Sequence, residues 1–188
     1  KYSRSFGWIG AQWHRPPARH RRNQYLHDIP VVPDMKYDAN STTIAPFTLG
    51  MPVRFTHTDP AGYVFFPRYF EMFQATVEEW FTQGLGLKYS DLVLNMKLGL
   101  PTAQTECKFV APCRLGEPLE MSLYLEHIGN SSIRVRFVGR VEGEQRLEAK
   151  SALVVTDITN GRPSPMSDDL RARFEKYQAD CEAAAGDT

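Results

Sequence analysis

The sequence predicts an α+β protein in which one antiparallel sheet wraps a long apolar helix, and three observations predict it. A strand-like alternation from Phe47 to Phe55 runs almost directly into aromatic and apolar residues at helical spacing: Phe70, Phe73, Val77, Trp80 and Phe81. From residue 102 onward the apolar pattern has period two and is broken by short turns, the signature of an antiparallel meander. A sheet of that size has one apolar face, and one long apolar helix is available to cover it.

Each element follows from its residues. Phe47, Leu49, Met51, Val53 and Phe55 alternate with Thr48, Gly50, Pro52 and Arg54, which reads as a half-buried strand. Pro52 has no N–H for a ladder, so it belongs at an edge or a bulge. The stretch "HTDPAGYVFFPRYF", His57 to Phe70, then sets one carboxylate, Asp59, in a Pro-Ala-Gly turn against an aromatic helix. Pro67 suits the first helical position, where its missing N–H costs nothing. Gly84 or Gly86 ends the run, and the few polar residues before Glu78 predict burial on most sides. A short helix follows Ser90. Four strands come next, in "TAQTECKFV" (closed by Pro112), "LEMSLYLEHI", "IRVRFVGRV" and "RLEAKSALVVTDI", with turns at "NSS" and "EGEQ". Leu119, Met121, Leu123 and Leu125 share one face; Ile133, Val135 and Phe137 point inward, with Arg134, Arg136 and Arg140 outward. A last amphipathic helix carrying Leu170, Phe174 and Tyr177 starts after the Ser167 cap.

The totals exclude several classes. Lys+Arg and Asp+Glu number 22 each over 188 residues, so neither a nucleic-acid partner nor a membrane surface is expected. No apolar run approaches the roughly 20 residues that span a bilayer. Cys107, Cys113 and Cys181 form no C-x-x-C pair and read as thiols in a reducing compartment, which places the protein in the cytoplasm; no metal site is expected. Residues 1–45 hold seven Lys/Arg and three acids, leaving 15 basic and 19 acidic residues in the rest. This segment is expected to be a basic, irregular extension, with residues 46–188 forming the folded domain.

The stretches "FTHTDPAGYVFFPRYFEMF" and "GLPTAQTECKFVAPCRLGEPLEMSLYLEHIGNSSIRVRF" resemble the hotdog-fold acyl-CoA thioesterases, most closely those of the 4-hydroxybenzoyl-CoA thioesterase type. The resemblance covers roughly residues 46–180. It implies a hotdog fold, a five-stranded antiparallel sheet around a long central helix, assembled as a homodimer or homotetramer with active sites at the subunit interface. It further implies an acyl-CoA substrate and no separate cofactor, coenzyme A being part of the substrate. Carried onto this chain, the catalytic carboxylate is Asp59. Phe66 holds the helix-entry position whose backbone N–H polarises the thioester carbonyl, and Pro60, Ala61 and Gly62 shape the turn. Many relatives have Tyr or His where this chain has Phe66. Basic residues that some use near the third turn to meet coenzyme A phosphates are here Gly129, Asn130 and Ser131.

The residues support that chemistry without the resemblance. Thioester hydrolysis needs a nucleophile, or a base that makes one from water, and a stabiliser for the oxyanion. The first N–H groups of a helix have no intrahelical acceptor and carry the positive end of its dipole. Asp59 lies seven residues before Phe66, on a turn compact enough to fold it back toward that helix end. It either attacks the thioester carbon or deprotonates water; the residues leave both open. The competing role is an Asp that only bonds its own turn. His57 is a candidate positioning group. Tyr63, Phe65, Pro67 and Tyr69 are candidate pocket residues, with core packing as the rival. Glu78 and Glu79 are weaker acid candidates on the helix, and the Arg134, Arg136 and Arg140 row is either a phosphate contact or a solvated face. The function expected is acyl-CoA hydrolysis to a carboxylic acid and free coenzyme A. The alternative is a binding protein that holds an acyl thioester or acyl carrier without turnover.

Overall fold

The computed structural model describes residues 45–186, so the expected basic extension lies outside the described residues. Five strands form one antiparallel sheet: β1 (Phe47–Pro52), β3 (Thr102–Phe109), β4 (Pro118–Ile128), β5 (Ser132–Val141) and β6 (Glu144–Val154), in spatial order β1-β4-β5-β6-β3. The three long strands β4, β5 and β6 are consecutive in sequence and adjacent in space, as tight turns require. The turn between β5 and β6 sets Glu142 and Gly143 at φ 52° and 84°. β1 pairs with β4 and β3 with β6, so the two strands flanking the central helix in sequence become the two edges.

The first strand is shorter than its alternation suggests. Pro52 ends it, Val53 turns inward, and Phe55 begins a short 3₁₀ turn through His57 with its ring exposed. An edge strand carrying a proline and a glycine has few ladder bonds to extend it. The structure also holds a small sheet that the apolar pattern did not show, made of β2 (Leu98–Gly99), β7 (Thr156–Asp157) and β8 (Arg162–Pro163). Strands of two residues leave no periodicity to read.

The central helix α1 (Arg68–Glu79) packs its Tyr69–Phe73–Thr76–Val77 face on the sheet, with the Phe73 ring stacked on Phe137 at 4.7 Å between centroids. Its other side is exposed, at Phe70, Glu71, Gln74, Ala75 and Glu78, so burial is narrower than the composition predicted. A wider π-type turn, Trp80–Gly84, continues the helix, with Leu85 N–H donating to Trp80 O at 2.9 Å. Gly84 is required there: a Cβ would sit 2.7 Å from Cδ1 of the fully buried Trp80. After α2 (Tyr89–Leu94) and the strands, α3 (Asp168–Gly186) returns across the core. Ser167 Oγ accepts Leu170 N–H at its start, and Phe174 stacks on Trp80. Arg173 donates to the carbonyls of Leu85 and Gly86, meeting acceptors at the C-terminal end of the helical run.

One phenol joins α3 to the sheet edge. Phe47 N–H donates to Tyr177 Oη at 2.8 Å, and the Tyr177 hydroxyl donates to Leu123 O at 2.6 Å. Phe47 and Leu123 are register partners, so Tyr177 closes the end of the β1–β4 ladder. Burial pushes this phenol well above its ordinary range, with the Cys181 thiol adding to the effect. Because the folded-state value lies above the unfolded one, an unfolded chain gives up the proton first as pH rises. The contribution is therefore full below the ordinary value of 10.0 and is lost above it. We expect Tyr177→Phe to lower unfolding free energy by about 1–3 kcal/mol in urea titrations at neutral pH, since two backbone groups lose a buried partner. The native protein should lose stability above about pH 10 more steeply than the variant. Equal stability of the two at neutral pH would remove Tyr177 from the edge-closing role.

Candidate active site

The segment between β1 and α1 folds as a miniature hairpin. His57 N–H donates to Arg54 O, and Arg54 N–H donates to His57 Nδ1 at 3.0 Å, so the ring's acceptor nitrogen is fixed toward the backbone. The two arms then pair: Phe65 N–H donates to His57 O and Asp59 N–H to Tyr63 O, both at 2.9 Å. Gly62 N–H closes the tip on Asp59 O at 2.9 Å with φ of 79°, a conformation in which a side chain is strained. Pro60 and Ala61 complete the tip. Thus His57, Asp59, Pro60, Ala61, Gly62 and Tyr63 are brought together by the backbone itself.

Within this hairpin the Asp59 carboxylate is held by one oxygen. Oδ1 accepts Ala61 N–H at 2.9 Å and Tyr63 N–H at 3.4 Å, while Oδ2 has no hydrogen-bond partner among the described residues. An Asp that bonds its own turn and an Asp that keeps a reactive oxygen are therefore compatible in this geometry. The anchored atom sets orientation, and the second atom retains its lone pairs.

The helix entry is more specific than a set of free amides. Three N–H groups there donate through three-residue turns: Arg68 to Phe65 O, Tyr69 to Phe66 O and Phe70 to Pro67 O, at 2.8, 3.2 and 3.1 Å. Pro67, the residue that caps α1, has no N–H. Phe66 N–H is left without an acceptor among the described residues. The hairpin arm that ends at Phe65 delivers this amide to the same loop that carries Asp59.

The aromatic candidates divide. Tyr63, Phe65 and Phe66 are exposed, as are Phe70 and Phe109. Tyr69 is buried at 4% exposure, with its ring 5.1 Å from Phe109, so in this chain it packs under the loop. Pro67 is half-buried at the entry. His57 also faces a groove of about 420 Å³ between β1 and α1, which Glu78 and Glu79 line on the helix side. Those two acids bond Gln74 and Gln83 on the helix surface. Arg136 is engaged by Glu126 at 3.0 Å and lies over the Tyr124 ring, which accounts for it as part of a solvated strand face. Among the described residues, no group of three or more His, Cys, Asp or Glu could hold a metal ion. No described helix is long and apolar enough to cross a membrane.

A second loop, which sequence reasoning treated only as the end of a strand, lies against the first. Val64 N–H donates to Cys113 O at 2.9 Å, and Leu115 N–H donates to Gly62 O at 3.0 Å. Tyr63 pairs with Arg114, whose guanidinium stands 5.8 Å from the Tyr63 ring centre. Beneath them Cys113 is fully buried, and its thiol is pushed up by burial, against a hydrogen bond from the Tyr69 phenol. The only sequence signal for this loop was "PCRLGE", a proline and a glycine between two strands.

Comparison with known proteins follows the same lines. Residues 53–174 match the family model described as "Thioesterase-like superfamily". A 1,4-dihydroxy-2-naphthoyl-CoA hydrolase from Prochlorococcus marinus is 32% identical over 103 residues, covering 52% of this chain and 69% of that protein. The protein of the same name from Nostoc punctiforme is 24% identical over 138 residues, covering 73% and 93%. The solved structure of a gentisyl-coenzyme A thioesterase superposes with a TM-score of 0.63 at 22% identity, over 68% of this chain and 99% of that one. The hotdog fold implied by the sequence resemblance is thereby shown.

The buried thiol yields a direct check. Thiolate is the reactive form, and both burial and the raised value suppress it at Cys113. In the native protein at about pH 8, Cys113 should react with Ellman's reagent at least about 100-fold more slowly than a model thiol, and at the ordinary rate once unfolded. Fast native labelling, located by peptide mapping, would show that the loop opens readily.

Proposed function

The chain belongs to the thioesterase-like superfamily and is a thioester hydrolase; on that footing we propose that Asp59 and the Phe66 amide are the two halves of its catalytic centre. The observation that carries the proposal is the divided use of the Asp59 carboxylate, Oδ1 anchored on two turn amides and Oδ2 unengaged among the described residues. The substrate is an acyl-CoA, and the products are a carboxylic acid and free coenzyme A.

In the nucleophilic course, Oδ2 adds to the thioester carbon, and the carbonyl oxygen gains negative charge as it approaches the Phe66 N–H. A donor positioned before reaction stabilises that charge without reorganising. Collapse breaks the C–S bond and expels the thiolate, which takes a proton from water. Attack of water on the resulting anhydride frees the acid and restores Asp59. In the general-base course, Oδ2 instead takes a proton from a water that attacks the same carbon, the same amide meets the same oxyanion, and collapse breaks the C–S bond as the released thiolate takes that proton back from Asp59. A thiolate leaves readily, so neither course needs a strong general acid, and the Phe side chain at position 66 is compatible with both.

The substrate class we infer is an aryl acyl group. Relatives named for dihydroxynaphthoyl and gentisyl thioesters are consistent with it, as is the exposed aromatic surface of Tyr63, Phe65, Phe66, Phe70 and Phe109 around the hairpin. That surface also supports assembly. Among the described residues β3 is an edge strand with Phe109 and the following Val110 exposed, and such an edge beside apolar rings favours pairing with a second copy. The protein is then a homodimer or homotetramer whose partner covers the acyl group; a cytoplasmic setting agrees with three unpaired thiols.

Two measurements test this. Free-thiol release should be followed across aryl and short- to medium-chain acyl-CoAs for the native protein and Asp59→Asn. The variant should fold and bind, and turnover should fall by about 10²-fold or more. Equal rates would move the chemistry to another residue, and no release from any acyl-CoA would favour the binding-only alternative. Sedimentation equilibrium should return two or four times the 21.4 kDa chain mass. A monomer throughout the micromolar range would remove the partner from the site.

A further inference from the structure

We propose that Glu117 is the positioning residue of the catalytic hairpin: its carboxylate holds the 113–117 turn in the one shape that keeps the Asp59 turn in register. This rests on the assignment of Asp59 as the attacking group.

The 113–117 turn is clamped from two sides by main chain alone. Toward the hairpin it accepts Val64 N–H at Cys113 O and donates Leu115 N–H to Gly62 O. Toward the sheet edge it donates Gly116 N–H to Val53 O and accepts Val53 N–H at Glu117 O, both at 2.9 Å. The same five residues therefore connect the end of the first strand to the tip of the hairpin. A shift in their shape passes to Gly62 and Val64, and hence to the Ala61 and Tyr63 amides that hold Asp59 Oδ1.

Within the turn, one side chain adds to these main-chain bonds. Its own main-chain closure is a Glu117 N–H to Arg114 O bond at 3.1 Å, with Gly116 at φ 88°. Glu117 Oε2 accepts Arg114 N–H at 2.8 Å, and Oε1 faces Arg146 Nη2 at 4.0 Å. Both side chains are about three-quarters covered, at 25% and 23% exposure, so solvent screens them only in part. Arg146 is bound into the same region by its carbonyl, which accepts Val110 and Ala111 N–H at 2.8 and 3.1 Å. Among the described residues its Nε is buried without a hydrogen-bond partner, and Glu117 brings a carboxylate to within 4.0 Å of this largely covered cation. Removing the carboxylate leaves the Arg114 amide without its acceptor and the guanidinium without its counter-charge. Arg114 is the residue paired with Tyr63, so the relaxation begins next to the hairpin. Small displacements of an attacking group cost large factors in rate, which makes a structural prop outside the reacting atoms visible in turnover.

The experiment compares the full-length native protein with Glu117→Ala and Glu117→Gln. Amide hydrogen exchange should accelerate about tenfold or more at Val64 and Leu115 in Glu117→Ala, with the central amides of β5 unchanged. For an aryl acyl-CoA, kcat should fall roughly tenfold with KM within about twofold, a split that sets it apart from altered substrate binding. Glu117→Gln keeps an acceptor for Arg114 and should recover kcat to within about threefold of native. Should Glu117→Ala not fold, Glu117→Asp, which withdraws the carboxylate by one methylene, should show the same local exchange and kcat loss in milder form. Unchanged exchange at Val64 and Leu115, or a kcat loss that Gln leaves in place, overturns the proposal. Hydrogen exchange does not depend on what Asp59 does. A normal rate in Asp59→Asn would therefore remove the attack assignment, while exchange at Val64 and Leu115 decides the mechanical link separately.

Discussion

Five main-chain hydrogen bonds hold the Asp59 loop in place: three within the 57–65 hairpin and two from it to the 113–115 segment. They matter because a carboxylate on an unrestrained loop samples many positions, and fixing it costs conformational entropy. Here that cost is met on folding, by backbone groups that would otherwise need water. The loop surrounds no large core of its own. The 113–117 turn ties it to two strands, to β1 through Val53 just past its end and to β6 through Arg146.

Those strands are firm because the core behind them is. The central helix lays one face on the sheet, and Trp80, Phe81, Phe174 and Tyr177 form a connected aromatic cluster at its far end. α3 contributes half of that cluster and also stitches the β1–β4 edge through Tyr177. The helix entry, where the Phe66 amide has no acceptor among the described residues, lies at the opposite end from this packing.

The apolar surface around the hairpin has a different status from the core. Phe65, Phe66, Phe70 and Phe109 are exposed in a single chain, and Phe65–Phe66 and Phe70–Phe73 are edge contacts that leave ring faces open. Open ring faces of this kind are the surfaces on which other aromatic groups stack.

The order of elements, the inward faces of β4 and β5, the Ser167 start of α3 and the location of Asp59 before a helix were all legible in the residues. Each is local, set by a period of two or 3.6 or by a cap within a few positions. Where local signals were weak, expectation and structure part. β1 stops at Pro52 rather than Phe55, α1 is buried on one side only, and the two-residue strands left no pattern. Sequence alone therefore determined which residues form the helix, the strands and the acid-bearing turn. Only tertiary structure decided that β1 and β3 become edges, that Tyr69 goes under the loop while Phe66 stays out, and that the 113–117 turn braces the hairpin. Those outcomes rest on pairings and packing between residues far apart in the chain, which no periodicity within either segment encodes.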